Sequence, residues 1–511
     1  ISICAVITLL PNLLHSQQRS QKRHYTFEKI EMKSPWLLSG NGAGLVFNKA
    51  DNYANVEGYL TNENGSYRNV DDPSTYTTMG LGTKSYTKVK NVYFYGSFRY
   101  DYGINKDLAW RGTVYPRSVL NPIADSIPGK VLRESYIMSG KVGYKVSDVV
   151  ALGAAFDYNT NTSAKRVDAR NLNTLSSLKV SPGVTLDYSH LKLGANLNYF
   201  RDVEDVDYTF IGETTGKNIY YLEGLWFFSK SGISNTTDLK RKYIKDGFGA
   251  SVQAHLNLGN FCFFNQLSVN YAQKDDYESS NLIKRYAYVE SLTYAYDGRF
   301  RLKGDNIDHI LSLSFVSDEN LSYSIINRYE RVPEEINTWA FYEYGKDLRY
   351  VTGYQKYGAE YKTFIRDGEW RCSWILAAGV DLHKFEKDYK LFPAKYHQNF
   401  DITELYMRAN KDFILSDRNS LNLDINGSYV TANGTKLDAQ NPLTSGALML
   451  NNSLLDRDFA YNTSDRYSAG LGFKFMRMVD QNRGTSLYLG ASYKHIESKD
   501  LGSRGLFALS V

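Results

Sequence analysis

The segment Ser420–Tyr429 sets the pattern for most of the chain. Leu421, Leu423, Ile425, Gly427 and Tyr429 fall on one side of an extended backbone, and Asn422, Asp424, Asn426 and Ser428 fall on the other. Strand side chains alternate faces, so a period of two gives one apolar and one polar surface. A helix would scatter those polar residues around its circumference. The alternation returns in Leu193–Tyr199, Val252–Leu258, Trp374–Leu382, Tyr467–Phe475 and Leu487–Tyr493, and it runs from about Tyr53 to the last residue without a linker.

Alternation and turn chemistry together predict about eighteen strands, with about 14 or 16 as the alternatives. The first nine cover residues 53–67, 76–89, 91–103, 131–146, 149–166, 175–188, 191–208, 244–258 and 261–275. The rest cover 282–302, 308–330, 347–366, 369–387, 399–415, 419–432, 463–478, 484–497 and 503–511. Short turns are expected at Lys90-Asn91, Ser147-Asp148, Ser189-His190, Gly259-Asn260, Asp367-Gly368 and Ser416–Arg418. Long polar loops are expected at about 103–131, 209–243, 331–346, 388–398 and 433–462. Short periplasmic turns and long extracellular loops are the signature of a transmembrane antiparallel up-and-down β-barrel, an all-β fold. An even strand count leaves both ends of the barrel chain in the periplasm. A soluble sandwich has strands of about five or six residues and rarely gathers so many in one sheet. Closure also removes the exposed edges of so large a sheet.

Composition fits that fold. Tyr is abundant (42 residues) and Pro scarce (10), which suits strands. Mean hydropathy is −0.43, because polar lumen residues offset lipid-facing ones. The net charge of +5, from 60 basic and 55 acidic residues, gives no case for nucleic-acid binding.

Three segments are expected. Residues 1–16 read as the N-terminally truncated remnant of a Sec signal peptide: an apolar run, Ile1–Leu14, too short to span a membrane, with cleavage near Ser16-Gln17. Residues 17–52 read as a periplasmic lead-in or partial plug. Trp36-Leu37-Leu38 and the glycines Gly40, Gly42 and Gly44 suggest a segment tucked against or into the barrel mouth. Residues 53–511 form the barrel, in the bacterial outer membrane. Cys262 and Cys372 lie far apart in sequence and read as buried free thiols.

From Val89 to Gly129 the chain resembles a poorly characterised family of outer-membrane β-barrel proteins from Bacteroidota. The strand Val92–Tyr100 leads through Trp110 into Tyr115-Pro116 and Leu120-Asn121-Pro122, then Ala124-Asp125-Ser126-Ile127-Pro128-Gly129. Gly65–Asn69 and Thr83–Val89 are similar to that family too. The chain departs from the pattern at Pro128, where a Gly is expected, and at Val511, where many barrels carry an aromatic. The resemblance implies architecture and location and brings no activity.

Reactive chemistry is sparse. There is no HExxH, GxSxG or paired CxxC motif, so no catalytic residue, metal or cofactor is expected and the chain reads as a non-enzyme. His255 sits on a polar face between Gln253 and Asn257 and reads as a hydrogen-bonded lumen residue. Asp202, Glu204, Asp205 and Asp207 lack the spacing of a Ca²⁺ loop and read as a solvated rim. The basic group Lys240, Arg241, Lys242 and Lys245 either pairs with them or meets lipopolysaccharide phosphates. Tyr93, Tyr95, Tyr100, Tyr102, Tyr286, Tyr288, Tyr294 and Tyr296 read as interfacial girdles. Tyr350, Tyr354, Tyr357 and Tyr361 read as girdle residues or as a sugar-stacking track in the lumen.

The candidate lumen lining is Asn422, Asp424, Asn426, Gln253, His255, Asn257, Asn196 and Asn198. Its mixed polar character suits neutral solutes such as sugars or peptides. Leu225, Trp226, Phe227 and Phe228 are costly to leave in water at a loop tip. They are expected to constrict the lumen, dock a partner, or pack on their own loop. The expected function is a channel for passive or gated uptake of small polar solutes. The alternative is an accessory barrel whose extracellular loops bind a surface lipoprotein or a transport-complex subunit. Expected surroundings are outer-membrane lipid and lipopolysaccharide. An energy-coupled receptor is disfavoured, since the strands leave too few residues for a folded plug and a wider barrel.

Overall fold

The computed structural model describes residues 28, 30–31, 34–50, 52–116, 120–212, 216–233, 239–279, 283–333, 335, 337–367, 372–443, 448–480 and 484–511. The signal-peptide remnant, its cleavage point and the start of the lead-in lie outside them.

The alternating segments form one antiparallel ring of eighteen strands. Its first part is Tyr53–Gly65 (β1), Thr75–Val89 (β2), Val92–Leu108 (β3), Gly129–Lys145 (β5), Val150–Lys165 (β6), Arg170–Tyr188 (β7) and Leu191–Thr209 (β8). It continues with Leu239–Leu258 (β11), Phe261–Ser279 (β12), Ile283–Lys303 (β13), Ile307–Arg331 (β14), Trp339–Arg366 (β15) and Cys372–Leu391 (β16). Ala394–Ile414 (β17), Asn419–Gln440 (β18), Arg466–Asp480 (β20), Thr485–Ser498 (β21) and Gly502–Ser510 (β22) complete it. Each strand pairs with its neighbour in sequence, and β22 pairs back onto β1 from Tyr59↔Ser510 to Gly65↔Arg504, so the sheet has no edge.

The apolar phase faces outward. Ile425, Leu471, Leu487 and Met407 are 50%, 42%, 67% and 69% exposed, whereas the alternate residues Asn410, Ser420 and Ser468 are buried. An outward apolar surface around a polar interior is the inverse of a soluble protein, and it fits a bilayer as solvent. The fold predicted from the alternation, a transmembrane up-and-down barrel of eighteen strands, is the fold observed.

Several loops differ from expectation. Residues 388–398 are no long loop: β16 and β17 meet in a tight turn at Phe392-Pro393. The 331–346 loop shrinks to 332–338, and β18 runs on to Gln440. A crossing needs about ten residues, yet β15 has 28. Above the bilayer both faces of a strand meet water, so the alternation that marks a strand fades there. Four further short strands lie in the long loops at that end: Ile123–Ala124 (β4), Lys217–Leu222 (β9), Phe227–Ile233 (β10) and Met449–Leu450 (β19). A helix, Asn452–Thr463 (α1), follows β19, and the Asn451 side chain caps it by accepting from Leu454 N at 3.2 Å.

Candidate functional site: a lumen occupied at both ends

Residues 34–50 run inside the barrel near the short-turn end. Pro35–Leu37 and Gly42–Phe47 are 3-10 turns, the second capped by Asn41, whose side chain accepts from Ala43 N at 3.0 Å. The glycines permit contact with the wall. A Cβ on Gly42 would stand 2.2 Å from Ala154 O, and one on Gly153 would stand 2.2 Å from Ala43 N. The two backbones therefore touch without side chains between them. Asn41 Nδ2 donates to Val184 O (3.0 Å), Ala195 O (3.2 Å) and Gln253 Oε1 (3.1 Å). Gln253 Nε2 donates onward to Asn196 Oδ1 at 2.8 Å, and Asn196 Nδ2 donates to Asn198 Oδ1 at 2.9 Å. Trp36 Nε1 donates to His255 Nδ1 at 3.1 Å, which assigns the ring proton of His255 to Nε2. Lys141 Nζ donates to the carbonyls of Leu37 and Ser39, both at 2.7 Å. Further along, Glu31 pairs with Lys84 on β2 (2.7 Å) and Glu28 with Arg408 on β17 (2.9 Å). The segment thus bridges walls on different sides of the lumen.

At the long-loop end, three loops join into a second sheet with the order β19-β10-β9-β4. Leu225 and Phe227 are buried against Tyr389, Ala394 and Tyr396, so the apolar loop tip folds onto the wall at β16 and β17. Phe227 stacks on Tyr389 at 4.5 Å and leans on Tyr396 at 4.7 Å. Phe228 packs on Tyr220 (5.4 Å), and Trp226 meets Trp110 edge to face (6.4 Å). Glu223 accepts from the Tyr389 hydroxyl at 3.1 Å, and burial holds its carboxyl above the usual range. Asp125 is buried with Lys165 as an ion pair, and burial pushes its carboxyl up as well. Asn69 Nδ2 donates to Asp458 Oδ1 at 2.8 Å, and Tyr67 stacks on Tyr461 at 4.9 Å, which ties α1 to the β1–β2 loop. Under this roof lie two spaces of about 340 and 270 Å³. The lining of the first includes four Asn and three Arg residues, and that of the second includes six aromatic rings.

The predicted site residues separate into groups. His255 and Gln253 bond directly to Trp36 and Asn41 of the inner segment, Asn196 and Asn198 follow through Gln253, and Asn196, Asn198 and Gln253 are buried. Asn422 and Asp424 lie on another wall. Asp424 accepts from Arg408 Nε at 2.7 Å, Asn422 exchanges bonds with Asn410, and Asn426 donates to Asp424 at 3.3 Å. Asn257 sits at the turn end, where its backbone N donates to His190 O at 2.8 Å.

Other expectations meet mixed outcomes. The acidic group is a solvated rim only in part: Asp202, Asp205 and Asp207 are half-buried, but Glu204 is 2% exposed and accepts from Val114 N (2.6 Å) and Asn173 Nδ2 (3.1 Å). The basic group faces the acidic one across β8 and β11, with Lys242 and Asp205 paired at 3.3 Å, while Arg241 pairs with Asp276 at 3.4 Å. Tyr93 is no girdle residue and packs inward with Leu37 and Leu45. The tyrosine track is broken by strand parity: Tyr350 and Tyr354 line the aromatic space, while Tyr357 and Tyr361 share the opposite face and are exposed. Cys372 is buried and Cys262 half-buried, both free. Trp36, Lys141 and Arg408 complete the site and stand outside the lumen lining that the sequence predicts. For the two cations the available signal was a charge on the polar phase of a membrane strand.

Fold and interior define a transmembrane β-barrel whose lumen holds its own chain at both ends. The chain belongs to a family of unknown function (DUF6850), whose model matches residues 42–511. Among curated proteins, none matches it in sequence. Solved structures similar to it include BauA, the ferric preacinetobactin receptor from Acinetobacter baumannii, at 10% identity and a TM-score of 0.39, covering 90% of this chain and 80% of that one. The outer membrane transporter YddB from Escherichia coli aligns at 8% identity and a TM-score of 0.39, covering 91% and 81%. The RagAB peptide importer aligns at 6% identity and a TM-score of 0.38, covering 85% and 76%. Similarity this low transfers no property to this chain.

Proposed function

We propose that this chain is a bacterial outer-membrane barrel for gated uptake of small polar solutes, sugars or peptides. The inner segment 34–50 acts as a partial plug, and the roof sheet is the outer gate. The observation that carries this reading is a polar-walled lumen occupied at both ends by segments held to the wall through hydrogen bonds and packing. A passive open pore has less support, because Asn196, Asn198 and Gln253 are covered rather than facing a free path. The outward face would contact lipid and lipopolysaccharide. The test is single-channel conductance of the purified chain in planar bilayers, with and without residues 210–238. A small conductance that rises to a stable ohmic step on deletion supports the reading. Silence in both forms overturns it.

A second reading is an accessory barrel that binds a surface lipoprotein or transport-complex subunit through its loops. Phe392, 95% exposed at the β16–β17 turn, and Ile211, 62% exposed in the β8–β11 loop, favour it. Co-purification of one stoichiometric partner that is lost in Phe392→Ser would support it.

A further inference from the structure

The aromatic space of about 270 Å³ lies between the roof and the wall strands β15, β16 and β17. That is close to the lower end of small-molecule sites, about 300 Å³. The roof contributes Trp110 and Trp226, both with left-handed backbones (φ 58° and 63°). Non-glycine residues adopt that conformation at a cost, so both indoles are presented from backbone positions that the loops hold. The wall contributes Tyr350, Tyr354, Phe385 and Phe400. Inward-facing charge in the lining comes from two carboxylates, on Asp71 and Asp458, and one ammonium, on Lys387; the exposed Glu386 side chain falls on the opposite face of β16, beside Gly353. Lys387 Nζ lies 5.2 Å from the Phe400 centroid and 3.9 Å from Asp458 Oδ2.

We infer that this cavity binds a neutral sugar ring. The inference rests on the uptake reading and names its solute class. A pyranose offers an electropositive C–H face, which lies favourably on the negative face of an indole or phenol ring. Its hydroxyls donate to carboxylates, which when ionised only accept, and such charge-assisted bonds are the stronger kind. An anionic solute meets an excess of carboxylates. A cationic solute finds the aromatic-and-carboxylate setting already holding the chain's own ammonium, that of Lys387. A neutral polyol meets neither obstacle. The two tryptophans meet edge to face at 90°, so their rings form a corner in the lining.

Isothermal titration of the purified full chain in detergent tests this, with glucose, maltose, cellobiose, choline and dialanine as the probes. Saturable binding is expected for at least one neutral sugar, in preference to choline and dialanine. Trp226→Ala and Tyr354→Leu should each weaken it by about tenfold. Trp339→Phe, outside the cavity, should leave it unchanged. Folding of each variant is checked by heat-modifiable migration on a gel, and Trp110→Phe provides a milder change should an alanine variant fail to fold. No saturable sugar binding, a preference for choline or dialanine, or equal binding in wild type and folded variants overturns the assignment. Binding in detergent does not require passage. Sugar bound by the protein but not taken up by loaded liposomes would therefore sink the uptake reading alone.

Discussion

The rings of Phe227 and Tyr389 lie stacked, with centroids 4.5 Å apart and planes 12° from parallel. Phe227 starts β10 in the loop between β8 and β11, whereas Tyr389 stands near the end of β16. This contact anchors the roof to a wall strand that is not its own neighbour. Phe227→Ala removes a ring that is 3% exposed, a change worth about 3–5 kcal/mol in a packed core. The loss falls on the roof, because no rung of the barrel ladder involves Phe227. Single-channel recording should show higher or more frequent openings with heat-modifiable folding intact. Unchanged recordings from a folded variant would show that the roof is no gate.

The inner segment gives a second prediction. Gly42→Val places side-chain atoms where even a Cβ would be 2.2 Å from Ala154 O. Backbone cannot yield there, so residues 34–50 should leave the wall. The expected result is protease cleavage within that segment in reconstituted protein whose barrel remains resistant. Wild-type resistance in the folded variant would contradict the close packing described above.

Glu223 makes the roof pH-sensitive. Its carboxyl is held above the ordinary value of 4.5 mainly by burial. A raised folded value means that the stabilisation is complete below about pH 4.5 and is lost as pH rises through the folded value. Amide exchange over 217–233, corrected for its intrinsic pH dependence, should therefore show easier local opening as pH climbs from 4 through the mildly acidic range. Glu223→Gln should flatten that dependence. A variant with the wild-type slope would assign the effect elsewhere.

Membrane orientation is tested by neighbours of opposite phase. Ile425 is 50% exposed on the outward face, and Asn426 faces the lumen beside Asp424. Ile425→Arg should cost about 2–4 kcal/mol if the site lies near the bilayer midplane, whereas Asn426→Arg should be far milder. Urea unfolding from lipid vesicles measures both, and equal costs would refute the assignment of faces.

The wall was legible in the sequence because its signal is local. Leu421, Leu423 and Ile425 declare an outward face without reference to any other strand, and all eighteen strands could be placed this way. The roof was not legible. Tyr389 and Tyr396 lie where β16 and β17 rise past the bilayer and both faces become polar, so 388–398 reads as a loop. Pairings such as Trp36 with His255 or Phe227 with Tyr389 join residues far apart in sequence, and nothing in either segment names its partner. The phase of the lumen residues was readable, but their occupation by the chain's own segment was not. The glycines at 40, 42 and 44 signalled close packing without saying against what.

The wall's rungs close on themselves from β22 to β1, so its circumference is fixed by a continuous hydrogen-bonded register and does not dilate. Selection by size must then reside in removable parts: the roof sheet and the strand of chain beneath it. A sieve of this design can be retuned by loop mutations while the wall stays constant. Diversity of solute among members of the family would accordingly be written in residues 34–50, 109–128, 210–238 and 441–465 and in the few stave residues that line the aromatic space, and hardly at all in the rest of the staves.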